Sequence, residues 1–303
     1  MVYWSGDGTI YDGKLQMIWI GTQSSELRNT GTALATYSLT GSEPKGYYLD
    51  EIPDYLPKAG NYLHLERVKH NVNSNSVSYG STLWEDEDGH TYLYAANSTD
   101  MVVARTATHD LYSAWQYYVK NTDGTWMWQD NYPDATTMKR SNVVTAKDGA
   151  IMLPWVFKKG DWYFMTSQAP IFSPNVYIYR SKYPWGPFDE RKLLFRLPDK
   201  LDKLGSTKYH WLYMVNLHPA LSREGELVFS TNSDADSFWD NFNEEGSADF
   251  YRPFFYRVFG WETLYPDMVD TGIDGGRETH VSSIKSNTVY NLYGMPVNKP
   301  THG

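Results

Sequence analysis

Four times along the chain, a short polar turn holding a glycine separates two runs rich in aromatic and β-branched residues. The turns are YDGK, EDGH, KKGD and REGE, centred on Gly13, Gly89, Gly160 and Gly225. The runs before them are WSGDGTIY, SVSYGSTLW, AIMLPWVF and MVNLHPAL, and those after are KLQMIWIG, HTYLYAAN, DWYFMTSQ and ELVFSTNS. Two such runs around a glycine turn read as a β-hairpin. A third run follows each hairpin: TALATYSL, MVVARTAT, NVYIYRSK and FYRPFFYRV. Fourth strands are expected at 115–119, 191–197 and 261–264, with the first copy's the least distinct. Helical periodicity is absent; the nearest approach is a single turn over 199–206. Repeated antiparallel units of this size predict an all-β fold, a β-propeller, with blades at about 3–60, 61–138, 139–205 and 206–264. Residues 265–303 lie outside the repeat.

Composition narrows the partners. The 303 residues include 25 Tyr, 12 Trp and 12 Phe, a richness that suits strands and also surfaces that stack on sugar rings. Net charge is −9 and no Lys/Arg run exceeds two residues, which argues against nucleic acid and anionic membranes as partners. Cysteine is absent, excluding disulfides and thiolate chemistry. No apolar run is long enough to span a bilayer. Strand-like sequence begins at Tyr3 without a signal-peptide pattern, so a leader, if the protein is secreted, would lie ahead of this sequence.

In a propeller the innermost strands face a central channel, and ligands collect at its mouth. Asp7 sits between glycines in GDG on the first inner strand, either as a turn residue or as a group beside a ligand. Tyr79, in SVSYG, holds the matching place in the second copy, as core or as sugar contact. His218 precedes Pro219, which forces it extended, and is either a satisfied core residue or a proton donor. Asn232 and Asp234 follow a strand end, and Tyr251 and Arg252 open the next strand beyond a long polar loop. Arg252 reads as a hydrogen-bond donor to a hydroxyl, or as the ion-pair partner of Asp249 or Glu244. Trp128 in WMWQD and Trp239 in FWDNF are expected in loops, as stacking surfaces. Glu66, Glu85 and Asp130 complete the acids, and the run from Glu85 to Asp88 reads as a solvated hairpin tip. No Walker loop, GxSxG elbow, HExxH or metal-ligand spacing is present, so no cofactor or metal is expected, although a channel ion beside His218 would fit.

The segments SVSYGSTLWEDEDGHTYLYAAN…VVAR, YPWGPFDERKLLF, NLHPAL…ELVFSTNS and YRPFFYRV resemble bacterial five-bladed propellers of the glycosidase type. These are domain-of-unknown-function families 5005 and 4185, the latter including endo-D-arabinanases; both look like distant relatives of glycoside hydrolase families 43 and 117. The likeness spans nearly all of 4–264, and the order HP…SxN…YRP is its most specific part. Separately, VYNLYGMPVNKPTHG is similar to the opening of the C-terminal sorting domain of secreted Bacteroidetes proteins, which implies export.

The resemblance implies a secreted, monomeric glycoside hydrolase acting on a polysaccharide, with furanose-containing glycans as the expected class. Carboxylates at the channel mouth would do the acid–base work. It also implies a fifth, N-terminal blade carrying the base, expected before Met1, since only four copies are visible. On this reading the catalytic candidates are Asp7, as the acid that tunes and orients the others, and His218, as the proton donor, while Tyr79, Trp128, Asn232, Trp239, Tyr251 and Arg252 bind substrate. A non-catalytic carbohydrate-binding propeller and a structural or protein-docking one fit the same composition.

Overall fold

The computed structural model describes residues 2–23, 28–40, 62–73, 77–97, 100–146, 151–170, 172–202, 209–243 and 251–268. The protein is all-β, of the β-propeller class, with four antiparallel blade sheets. The first contains β1 (Val2–Tyr11), β2 (Lys14–Gln23), β3 (Arg28–Thr40) and β4 (Tyr62–Asn73). The second runs β5 (Thr82–Glu85), β6 (Thr91–Asn97), β7 (Asp100–Thr106), β8 (Trp115–Lys120) and β9 (Trp126–Gln129). A one-and-a-half-turn helix, α1 (Ala135–Arg140), leads to the third: β10 (Met152–Lys159), β11 (Trp162–Gln168), β12 (Asn175–Ser181) and β13 (Asp189–Arg196). The fourth is β14 (Leu201–Asp202), β15 (Tyr209–Leu217), β16 (Glu226–Ala235) and β17 (Phe254–Phe259). In every sheet, sequential strands are hydrogen-bonded neighbours.

The glycine turns form as expected. Gly13, Gly89, Gly160 and Gly225 all have positive φ, between 58° and 89°, with open space where a side chain would be. It is the left-handed backbone of the tight turn, not crowding, that selects glycine there.

The chain divides into two compact units, Met1–Arg196 and Leu197–Gly303. In the first, the middle sheet is buried on both faces. Leu93, Ala95, Val102 and Ala104 pack with Ile18 and Leu34 of the first sheet. Their alternating neighbours Tyr92, Tyr94, Met101 and Val103 pack with Val156, Met165 and Tyr179 of the third. Strand side chains alternate between faces, so burial of both faces explains why TYLYAA and MVVA are nearly unbroken apolar runs. The Tyr94 hydroxyl ends in a hydrogen bond to the Pro184 carbonyl at 2.7 Å, so its polar tip is satisfied inside the core. Helix α1 starts where Asp134 accepts from the Thr137 N–H at 2.6 Å, and it sends Met138 into the first core.

Four strand expectations need correction. The strand completing the first sheet is β4, which begins at Tyr62, past the expected boundary at 60/61. WMWQ is not a loop but β9, a fifth strand on the second sheet. Residues 261–264 form a 3-10 turn instead of a strand, because Gly260, at φ 64°, turns the chain and Trp261 is then buried. Of the stretch 199–206, Leu201–Asp202 is a strand paired with β15, not a helical turn. The sorting-tail segment lies outside the described residues.

Candidate functional site

Three hairpin strands, β1, β10 and β15, share one irregularity. In β1, Gly6 and Asp7 together oppose the single residue Ile18 of β2. Leu153 and Pro154 of β10 oppose Ser167 in the same way, and Met214 and Val215 of β15 oppose Thr231. Leu153 and Met214 carry positive φ, 47° and 56°. A two-against-one bulge turns a backbone group out of its own ladder. In β1 the freed Asp7 N–H donates to the Gly80 carbonyl of the second blade at 3.0 Å. The bulged Pro154 carbonyl of the third blade accepts from the Thr82 hydroxyl of the second. Within this unit the bulges therefore tie blade to blade.

The first bulge also aims the Asp7 carboxylate. One oxygen accepts from the Gly8 N–H at 2.8 Å and the other from the Leu83 N–H of β5 at 2.9 Å. Burial pushes the Asp7 carboxyl above the usual aspartate range; the two N–H bonds oppose the shift and the nearby Glu85 charge adds to it. Glu85, at the end of β5, accepts from the Thr9 hydroxyl of β1. Asp7, Gly8, Thr9, Leu83, Trp84 and Glu85 line a depression of about 280 Å³. Two acidic residues from neighbouring blades thus line one recess.

The run from Glu85 to Asp88 is not simply solvated. Asp86 is buried and accepts from the Tyr163 hydroxyl (2.8 and 3.0 Å) and the Trp84 indole N–H (3.0 Å). Asp88 accepts from the Tyr92 hydroxyl at 2.6 Å. Alternation along the strand end sends Asp86 inward, a placement that a bare charge run does not disclose.

Tyr79 belongs to the core. It is fully buried, edge-on to Tyr117 at 5.3 Å and Tyr132 at 6.2 Å, so it is no sugar contact. Tyr79→Leu should lower stability by about 2 kcal/mol through the lost ring volume, while leaving glycan affinity unchanged; denaturant titration beside calorimetry checks both. Trp128 packs under the Arg105 guanidinium at 4.1 Å and beside Tyr118 at 4.9 Å. Glu66 pairs with Lys14 at 2.5 Å, and Asp130 accepts from Gln116 at 3.0 Å.

In the second unit, Asn232, Asp234, Trp239, Tyr251 and Arg252 gather at one end of the blade. Asn232 is paired with Tyr213 across the sheet. The Tyr213 phenol is pushed up by burial and by its neighbours Tyr251, to which it is hydrogen-bonded, and Asp234. Beyond β16, Asn241 is fully buried; it donates to Asp234 (2.5 Å) and the Phe238 carbonyl (2.8 Å) and accepts from the Ala235 N–H (3.0 Å). Around it stand Phe238, Trp239, Phe242 and Tyr251, all exposed. Arg252 is exposed and lies 5.6 Å over the Phe254 ring; Asp249 and Glu244 lie outside the described residues.

His218 is not with this group. It sits at the hairpin end, its Nε2 2.8 Å from the Ser230 hydroxyl and its ring 6.0 Å from Phe255. From Ser230 to Ala235, where the aromatic loop begins, is five residues of strand, roughly 16 Å. Burial depresses the His218 pKa below 6.5. The folded state therefore favours neutral imidazole, so its stability contribution is present above pH 6.5 and is lost as pH falls from there through the depressed folded-state value. His218→Asn should flatten this acid-side decline, which denaturant midpoints at pH 5 and 8 would reveal.

Residues 1–261 match the sequence profile described as Domain of unknown function (DUF5005). The chain belongs to the DUF5005 family. The DUF5005 chain is 47% identical to a Bacteroides ovatus protein of solved structure, provisionally designated a hydrolase, with a TM-score of 0.76. That alignment covers 88% of this chain and 63% of the other, so the chain spans less than two thirds of that relative's length. An exo-1,5-α-L-arabinanase from a bovine ruminal metagenomic library is 12% identical at TM-score 0.44, covering 84% and 73% of the two chains. The catalytic domain of a Coprinopsis cinerea GH62 α-L-arabinofuranosidase is 12% identical at TM-score 0.41, covering 84% and 63%. No curated protein matches significantly.

Sequence reasoning singled out Asp7, Trp239, Tyr251 and Arg252 but passed over Thr9, Phe238, Asn241 and Phe242. The available signal was FWDNF itself: three large rings in five residues of an otherwise polar loop. Glu85 was visible only as one acid among four.

Proposed function

We propose that this chain is a glycoside hydrolase domain in which Asp7 is the proton donor and Glu85 the base. The supporting observation is the convergence of these two carboxylates, from β1 and β5, on one depression of about 280 Å³. In the reaction the glycosidic C–O bond breaks as Asp7 protonates the leaving oxygen. Water attacks the anomeric carbon and gives its proton to Glu85; exchange with solvent then restores both groups. The role of Asp7 follows from environment. Burial favours the protonated form of Asp7, as a proton donor requires, and Glu85, held by the Thr9 hydroxyl, is the other carboxylate of the recess.

The hydrolase designation of the Bacteroides ovatus relative agrees with this reading. Furanose-containing glycans, arabinan first, are the substrates that the family resemblance recommends. The tail motif VYNLYGMPVNKPTHG supports export and action on polysaccharide outside the cell. Release of reducing ends from a panel of arabinans, arabinoxylans and glucans tests the activity. Glu85→Gln should cut the rate by at least about 100-fold on any glycan that the wild type cleaves; an unchanged rate would remove Glu85 from the mechanism.

A second reading, carbohydrate binding without turnover, is favoured by the exposed rings of the second unit. Glycan affinity in calorimetry with no reducing ends released from the whole panel would select it.

A further inference from the structure

The geometry points to a carbohydrate-stacking platform in the second unit, built by Phe238, Trp239, Phe242 and Tyr251 and held in shape by Asn241, for a neutral polysaccharide chain. This inference rests on binding alone and stands whether or not Asp7 and Glu85 carry out hydrolysis.

Four large rings in mutual contact are 51%, 67%, 53% and 36% exposed in the order named. Their contacts are edge-to-face: Phe238 to Trp239 at 5.5 Å and 72°, Phe238 to Phe242 at 5.5 Å and 66°, Phe242 to Tyr251 at 5.4 Å and 74°. Edge-to-face packing leaves ring faces open. Two aromatic pairs of the first unit are arranged differently. There Tyr183 lies flat on Trp185 at 12° and Tyr118 flat on Trp126 at 18°, so each of these pairs turns one ring face to its partner.

Exposing such rings costs free energy, yet the turn that carries Phe238 and Trp239 is tied down by hydrogen bonds. Asn241 is fully buried and bonded to Ala235, Asp234 and Phe238, and Trp211 donates to Asp236 at the loop's start. A rigid scaffold under an open apolar patch is what a binding surface needs, because little ordering entropy remains to be lost.

Size and charge choose the occupant. At about half of the 150–250 Å² that each ring can bury, the patch offers roughly 400 Å². A stable protein interface needs about 800 Å² per partner, so a second protein chain is poorly matched. Among the described residues at this end, Asp234, Asp236 and Asp240 outnumber Arg252 and Lys200, which disfavours polyanions such as nucleic acid or an anionic lipid surface. A neutral glycan fits: its C–H faces lie on the rings, and its hydroxyls can both donate to the carboxylates and accept from Arg252.

Affinity gel electrophoresis of the whole chain in soluble arabinan, arabinoxylan and mixed-linkage glucan tests this. Wild type should be retarded by at least one of the three. Trp239→Ala and Phe242→Ala, both at exposed positions, should weaken that binding about tenfold or more with an unchanged unfolding midpoint. Asn241→Ala, which leaves every ring in place, should also weaken it, marking Asn241 as a positioning residue. Asn241→Ala alone could lose affinity by unfolding, so the two ring variants are the deciding ones. Retardation of both equal to wild type would overturn the platform, as would wild type ignoring all three glycans. A concentration-dependent dimer abolished by Trp239→Ala would overturn it in favour of self-association.

Discussion

Gly80→Ala should destabilise the first unit by about 3 kcal/mol, a large share of the 5–15 kcal/mol that holds a typical domain folded. Gly80 has φ 96°, which a side-chain-bearing residue adopts only with strain, and an added Cβ would stand 2.1 Å from Ile18 Cδ1. Gly6→Ala should be comparably damaging for a different reason. Its Cβ would fall 2.7 Å from the Gly80 carbonyl oxygen, the acceptor of the Asp7 N–H. The two cases separate on a second change. Ile18→Val removes the Cδ1 methyl, so it should partly rescue Gly80→Ala and do little for Gly6→Ala, where the obstacle is backbone. A double-mutant cycle by denaturant unfolding measures this. Full additivity of Ile18→Val and Gly80→Ala would show that the two blades do not meet at this point as described.

Asp7→Ala should cost about 2 kcal/mol of stability as well as any activity, because it strands the Leu83 and Gly8 N–H groups in a buried position. Asp7→Asn keeps an acceptor for one of them and should cost less. The pH dependence has a definite sign. The folded-state pKa of Asp7 is raised above 3.8, so its protonation favours folding. The contribution is full below pH 3.8 and is lost as pH rises through the raised value. Wild type should therefore gain stability relative to Asp7→Asn as pH falls through that window, as paired urea titrations would record. A difference that stays flat with pH would mean that the carboxyl is not desolvated.

The hairpin turns were legible because a tight turn demands a left-handed residue, and glycine at 13, 89, 160 and 225 is a purely local signature. The runs that form β6 and β7 were legible as strands from their apolar, β-branched and aromatic residues, although their burial on both faces was not. The bulges of β1, β10 and β15 were not. A bulge is a relation between two strands, and neither GDG nor MLPW announces that two of its residues will oppose one. Missing the bulge hid the pairing of Asp7 with Glu85, which depends on Leu83 and Thr9 reaching across blades. Tyr79 stayed open between core and sugar contact, and Trp128 was expected in a loop, because an aromatic side chain suits a core, a strand surface or a sugar face equally well; only packing decides. His218 drew notice through Pro219, but a strand is long enough to separate it from the ring cluster that the same sequence stretch also encodes. Phe238 and Phe242 went unremarked beside Trp239 because ring exposure is a property of the folded loop, set by the burial of Asn241.

The proton-donor role of Asp7 is tested most directly by the leaving-group dependence of Asp7→Asn. On a glycan, whose leaving alkoxide needs a proton, kcat/KM should fall by about 100-fold or more. On the matching dinitrophenyl glycoside, whose phenolate leaves unprotonated, it should stay within a few-fold of wild type. Equal losses on both substrates, or no loss on either, would contradict the assignment.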